Sequence, residues 1–180
     1  MNIQQGWLDV AVRCPSPNCD DRPRNVDIDL LVIHNISLPA GHFGGPYIEQ
    51  LFTNCLSAES HESFDVIAPL QVSAHLLIRR DGTIIQFVPF YRRAWHAGVS
   101  NWQGREACND FSIGIELEGA DDIPYEGIQY QRLAAVTRTL MSCYLKLTPR
   151  TITGHSDIAP GRKTDPGKAF DWNYYTSLLA

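Results

Sequence analysis

The run Ile28-Asp29-Leu30-Leu31-Val32-Ile33 limits the fold more than any other segment. It is apolar, rich in β-branched side chains and too short to make a persuasive helix. Such a run reads as a strand buried on both faces, the habit of sheets covered by other layers. It ends in His34-Asn35-Ile36-Ser37, where the chain leaves the sheet. In open α/β sheets the ends of strands are where sites are built.

Other elements fall in around this strand. Residues 1–27 are rich in Pro, Asp and Arg and are expected to wrap the domain as irregular structure. Leu38 to Pro46, with its Gly and Pro residues, reads as a loop near the strand end, and Tyr47 to Leu56 as a short helix. Val72 to Ile78 reads as a second strand. The turn Arg80-Asp81-Gly82-Thr83 then leads into Ile84 to Val88 and makes a hairpin. Phe111 to Leu117 is a further strand. Tyr130 to Leu147 carries Leu133, Val136, Leu140 and Tyr144 at helical spacing, with Pro149 closing it. Thr151 to Thr153 is a last short strand, and Phe170 to Leu179 a terminal helix. Strands mixed with helices indicate one α/β domain over residues 1–180, a central mixed β-sheet flanked by helices.

The last strand runs into a loop, Gly154-His155-Ser156-Asp157-Ile158-Ala159-Pro160-Gly161-Arg162-Lys163-Thr164-Asp165-Pro166-Gly167. Its Pro and Gly residues discourage any helix or strand, and its side chains supply an imidazole, carboxylates and a lysine. A solvated turn would look much the same. His34, after its apolar strand, would by itself read as a hydrogen-bonded core residue. Together with His155 and Asp165 it completes a two-His-one-carboxylate set. That set suits zinc, with three protein ligands and one position left open for water. Non-haem iron uses similar ligands.

A chain of 180 residues is the size of one domain. Its 44% hydrophobic and 19% charged residues are ordinary for a soluble protein. A formal charge of −5, with no basic face, argues against nucleic-acid binding. No apolar stretch approaches the length of a membrane span, and Met1 to Val10 lacks the pattern of a secretory signal. The expectation is a cytoplasmic monomer with no membrane partner. Cys14, Cys19, Cys55, Cys108 and Cys143 are scattered, with no second Cys/His pair at a zinc-site spacing, and read as free thiols.

Glu116 lies near the end of an otherwise apolar strand, where burying an acid is costly without a partner or a task. It is a candidate general base, but Glu118 points to the same face, and sequence alone does not choose between them. Lys163 is a candidate for stabilising an oxyanion. His75, within a strand, reads as a hydrogen-bonding strut. His96 sits in a loop and reads as lining a cleft, and Trp95 offers a ring to stack on a sugar or peptide.

Several segments, in order, resemble one family. They include His34-Asn35-Ile36-Ser37-Leu38-Pro39, Val72-Ser73-Ala74-His75, Arg93-Ala94-Trp95-His96-Ala97-Gly98, Asn109-Asp110-Phe111-Ser112-Ile113-Gly114-Ile115-Glu116-Leu117-Glu118-Gly119 and Arg162-Lys163-Thr164-Asp165-Pro166-Gly167. They closely resemble the AmpD family, cytoplasmic 1,6-anhydro-N-acetylmuramyl-L-alanine amidases within the peptidoglycan-recognition-protein-like superfamily. The likeness runs from about Gly6 to Trp172.

The resemblance implies one Zn2+ per chain on His34, His155 and Asp165, with Glu116 rather than Glu118 as catalytic glutamate and Lys163 as catalytic lysine. It implies Asn35, Trp95, His96, Ala159 and Arg162 as contacts for an anhydro-muropeptide. The reaction implied is hydrolysis of the amide between the lactyl group of 1,6-anhydro-N-acetylmuramic acid and L-alanine, in cell-wall recycling. Undegraded substrate is an inducer of β-lactamase where that circuit exists. The chain departs from the family at Gln71 and Ala107, where arginines are expected to hold diaminopimelate carboxylates; Arg105 is a local substitute to consider. The alternative is a zinc-free muropeptide-binding module, which has no need of the complete set of five residues. A secreted autolysin is disfavoured by the missing signal peptide.

Overall fold

A computed structural model describes residues 1–180. The first 27 residues carry four short strands where irregular chain was expected: β1 (Ile3–Gln4), β2 (Trp7–Leu8), β3 (Val12–Arg13) and β4 (Cys19–Asp21). Pro15 and Pro17 fall between strands, so the missing N–H groups interrupt no ladder. The apolar run forms β5 (Leu30–Ile36), followed by α1 (Tyr47–Phe52).

The hairpin expected around Asp81-Gly82 is β6 (Leu76–Ile78) with β7 (Ile84–Gln86), paired antiparallel. β6 is shorter than expected because the backbone N–H of Ser73 bonds the Trp95 carbonyl, outside the ladder. Next come β8 (Arg92–Ala94), β9 (Asn101–Trp102), β10 (Arg105–Glu106) and β11 (Ser112–Glu118). α2 (Gly127–Cys143) begins a turn before the expected start. Gln129 explains this: its side chain accepts from the Glu126 amide and donates to the carbonyls of Ile78 and Glu118, tying the first turn to the sheet. The helix also ends early, at Tyr144 with ψ 89°: the Tyr144 amide still bonds the Leu140 carbonyl, but the Leu147 amide bonds the Tyr144 carbonyl and turns the chain away. β12 (Ile152–Gly154), α3 (His155–Ile158) and α4 (Trp172–Ser177) complete the chain.

The main sheet runs β12-β5-β11-β6-β7-β3. Its first four strands are parallel neighbours, and β7 turns antiparallel to β6, so the sheet is mixed as expected. Alternation divides β5 and β11 between two cores. Leu31, Ile33, Ile113, Ile115 and Leu117 face Leu133, Val136 and Leu140 of α2 and Tyr175 of α4. Leu30 and Val32 face the other way, against Ala97, Cys108, Phe111 and Ile158. Further along that second face, Leu77 and Ile85 meet Ile48, Leu51 and Phe52 of α1. Parity places His34 and Glu116 on this second face, at the C-terminal ends of their strands.

Candidate metal centre and active site

Register alone brings the first residues together. Glu116 of β11 lies opposite His34 of β5, and Gly154 of β12 lies opposite Ile33. His155, the next residue, therefore comes abreast of His34. Three adjacent parallel strands, roughly 4.8 Å apart, thus deliver His155, His34 and Glu116 in a row.

The loop after β12 does not begin as the turn that its composition suggested. The Asp157 carboxylate accepts from the Gly154 amide (2.9 Å) and the Thr153 hydroxyl (2.8 Å), and a helical turn, α3, starts at His155. A carboxylate answering otherwise unpaired amides at a helix start outweighs the nearby Pro and Gly. The rest of the loop is pinned from both ends. The Ser156 amide bonds the Asp165 carbonyl, and the Pro166 carbonyl accepts from Asn35 Nδ2 (3.1 Å) and the Tyr125 hydroxyl (2.7 Å). Gly167 has φ +81°, and a Cβ there would come within 2.1 Å of Asp121 Cα, so the loop closes only on glycine.

These constraints aim three donors at one point. His34 Nδ1, His155 Nδ1 and Asp165 Oδ2 form a triangle with every side 3.0 Å. Donors 2.0–2.1 Å from a tetrahedral ion stand about 3.3 Å apart, so the set fits with small adjustment. The proton arrangement fits as well. His155 Nε2 faces the Ala97 carbonyl at 3.2 Å, which can only accept, so the proton sits on Nε2 and a bare Nδ1 lone pair faces the other two donors. Lone pair against carboxylate oxygen at 3.0 Å is repulsive unless a cation sits between them. Burial lowers the His34 pKa to about 4, against the pull of Asp165, and so favours the neutral imidazole that a metal needs.

Glu116 stands beside this triangle without a partner: its buried Oε2 has no hydrogen bond. Burial first, and the Asp165 charge second, push its pKa well above the ordinary value, while Lys163 pulls it back. Lys163 is exposed on the same cleft, a space of about 230 Å³ lined also by His34, Trp95, His96, His155 and Asp165. A larger groove of about 540 Å³ meets it at Asn35, Ile36, Lys163 and Asp165, and a further groove of about 580 Å³ meets that one at Arg162.

The expected substrate contacts divide in the structure. Trp95 lines the cleft with its indole N–H donated to Asp20 Oδ1, which leaves the ring face for a ligand. Ala159 and Arg162 line the 580 Å³ groove, though Arg162 Nη2 also braces the carbonyls of Ala97 and Val99, 2.7 Å each. Asn35 reaches the cleft, but its amide holds Asp121 and Pro166. Both ring nitrogens of His96 are engaged, with His34 and Ser112, so only ring carbons remain for a ligand. His75 is the strut that was expected: its Nδ1 accepts from the Gly114 amide and its Nε2 donates to the Arg92 carbonyl. Sequence reasoning missed Asp157, which starts α3, and Asn109, whose Oδ1 accepts from the amides of His96 and Ala97. Polar residues before or after a strand gave the only hint of either.

Residues 24–168 match the family model described as N-acetylmuramoyl-L-alanine amidase. The chain is 59% identical to 1,6-anhydro-N-acetylmuramyl-L-alanine amidase AmpD of Escherichia coli, over all of this chain and 98% of that protein. A crystal structure of a selenomethionine AmpD superposes with a TM-score of 0.97 at 57% identity, covering all of both chains. A more distant structure is the Escherichia coli amidase AmiD in complex with the substrate anhydro-N-acetylmuramic acid-L-Ala-D-γ-Glu-L-Lys. It superposes with a TM-score of 0.62 at 29% identity, over 87% of this chain and 60% of that one. No helix of this chain is long and apolar enough to cross a membrane. A family match that takes in the sheet, Glu116 and the ligand loop together admits one assignment: the chain belongs to the N-acetylmuramoyl-L-alanine amidase family.

Proposed function

We propose that this chain is a zinc-dependent amidase of the cytoplasm. It hydrolyses the amide between the lactyl group of 1,6-anhydro-N-acetylmuramic acid and L-alanine, returning wall fragments for reuse. The observation that carries this reading is an unpartnered, buried Glu116 carboxyl beside a 3.0 Å triangle of two imidazoles and a carboxylate. The substrate class is supported by the identity to AmpD and by the anhydro-muropeptide held by AmiD.

His34, His155 and Asp165 would hold the ion, which when bound supplies Lewis acidity toward water and toward the scissile carbonyl. Glu116 takes a proton from the attacking water and passes it to the nitrogen of the leaving L-alanine. It can do both because no neighbour competes for its oxygens. Lys163 stabilises the negative charge that develops on the carbonyl oxygen. Trp95 gives the apolar face of the sugar or peptide a surface to lie on. The 540 Å³ groove continuous with the cleft leaves room for the substrate to extend beyond the reacting amide.

A module that only binds muropeptides gains nothing from an unpaired buried acid, which costs about 1–3 kcal/mol in desolvation. The test is incubation of the zinc-loaded protein with anhydro-muropeptide and, separately, with intact sacculi, followed by mass analysis. Free stem peptide and anhydro-sugar from the first substrate, with little from the second, is the expected result. Binding without cleavage of either would leave the binding module as the correct reading.

A further inference from the structure

We propose that His96 is the positioning residue of the metal centre, setting the proton on His34 so that its Nδ1 lone pair faces the ion. This rests on the reading of His34 as a ligand. His34 Nε2 lies 2.9 Å from His96 Nδ1, and His96 Nε2 lies 3.1 Å from Ser112 Oγ. A neutral imidazole carries one N–H. With Nδ1 of His34 bare, its proton sits on Nε2 and is donated to His96 Nδ1. His96 must then carry its own proton on Nε2, which it donates to Ser112 Oγ. The opposite order would put a proton on His34 Nδ1, pointing at Asp165, and close the site to a metal. One nitrogen of His96 therefore decides which face His34 presents.

The seat of His96 is built for this. Its backbone amide and that of Ala97 both donate to Asn109 Oδ1, at 3.1 and 2.8 Å. Its ring lies against Gly114 of β11, where a Cβ would come within 2.4 Å of the ring's Cγ. Gly114 is needed for close approach, since any larger residue would displace the ring. Ser112, Gly114 and Glu116 share one face of β11, so the strand that carries the base also supports the ligand. The neighbouring residue completes the pattern: the Ala97 carbonyl accepts from His155 Nε2. Two consecutive residues thus orient the outer nitrogens of both histidines.

The experiment uses the full chain and zinc ions, with affinity measured by competition against a chromogenic chelator. Native protein is compared with His96→Leu, His96→Asn and Ser112→Ala, with melting of each metal-free protein and kcat and KM under saturating zinc. His96→Leu should bind zinc about 10–100-fold more weakly, with unchanged melting of the metal-free protein and little change in KM. His96→Asn, whose Oδ1 can accept from His34 Nε2, should recover most of that affinity, and Ser112→Ala should lose less than His96→Leu. Undiminished zinc affinity with a raised KM in His96→Leu would make His96 a substrate contact and overturn the inference. Equal losses in the Leu and Asn variants would mean that ring bulk alone matters, and would overturn it too. If His96→Leu does not fold, undiminished affinity in Ser112→Ala serves as the overturning result. A native chain with no zinc affinity sinks the ligand assignment itself, whereas native binding with undisturbed variants sinks only the role of His96.

Discussion

Glu118 accepts from Arg79 Nη1 at 2.9 Å, from the Gly44 amide at 2.6 Å and from the Arg80 amide at 3.1 Å. Glu116, two residues earlier on the same face, has a buried oxygen with no partner at all. The two acids are therefore separable by experiment. Glu118→Ala leaves the half-buried Arg79 with Glu49 as its one carboxylate partner and orphans two amides. It should cost about 3 kcal/mol of stability, read as a shift in denaturant midpoint at constant slope. Glu116→Gln should instead fold, hold zinc and lose about 10²–10⁴-fold in kcat/KM; near-native turnover would assign the proton transfers elsewhere. The same variant has a pH signature. The raised pKa of Glu116 means that the metal-free fold binds a proton more readily than the unfolded chain does. That contribution is whole below the unfolded value, about pH 4.3, and is lost as pH rises through the raised value. Metal-free Glu116→Gln should therefore melt higher than native at pH 7, with the gap closing toward pH 4. A constant gap across that range would show that Glu116 is not held away from its ordinary ionisation.

At the scale of elements, α3 is the joint on which the centre turns. It is a single helical turn, started by Asp157 and placed by the register of β12 on β5. Asp157→Ala removes the acceptor of the Gly154 amide and should cost about 0.5–2 kcal/mol. Because His155 opens the same turn, zinc release into excess chelator should also speed up. A stability loss with unaltered zinc release would separate the cap from the ligand. This joint also marks where sequence stopped being informative. The buried strand from Ile28, the Asp81-Gly82 hairpin and the Leu133-Val136-Leu140 stripe were legible because periodicity and turn chemistry are local. So were the three donors, whose residue types declare their chemistry. What lay hidden depends on partners far along the chain. The helical turn at His155 hangs on one carboxylate amid Pro and Gly. The start of α2 depends on Gln129 reaching carbonyls of β6 and β11. The choice between Glu116 and Glu118 needed the family resemblance, because strand alternation puts both on one face and the partners that tell them apart, Arg79 and the amides of Gly44 and Arg80, lie far along the chain.

At the scale of the whole molecule, the charge of the grooves around the cleft bears on which muropeptide is favoured. The 580 Å³ groove is lined by Asn101, Glu106, Ala107 and Arg162, among others. Its one guanidinium is committed: Arg162 Nη2 bonds the carbonyls of Ala97 and Val99. Arg105, the nearby substitute suggested by sequence, is committed as well. It pairs with Asp29 at 2.7 Å and lies over the Phe111 ring, 3.7 Å from its centroid. With Ala107 uncharged and Glu106 adding negative charge, a substrate carboxylate lying in this groove would meet no free cation, and Gln71, outside it, is uncharged too. Anhydro-muramyl dipeptide and the diaminopimelate tripeptide should therefore be cleaved with similar specificity constants. Ala107→Arg places a forked donor at the groove, and arginine grips a carboxylate through two parallel hydrogen bonds. The variant should raise the tripeptide-to-dipeptide ratio of kcat/KM by about 5- to 150-fold, the equivalent of about 1–3 kcal/mol for one charge-assisted contact. Dipeptide turnover should stay within about twofold, since no part of the metal triangle touches this position. If the native chain already prefers the tripeptide by that margin, and Ala107→Arg adds nothing, a cation outside this groove holds the third residue. Arg105→Ala then decides the matter, because loss of the preference would show that Arg105 leaves Asp29 when substrate arrives.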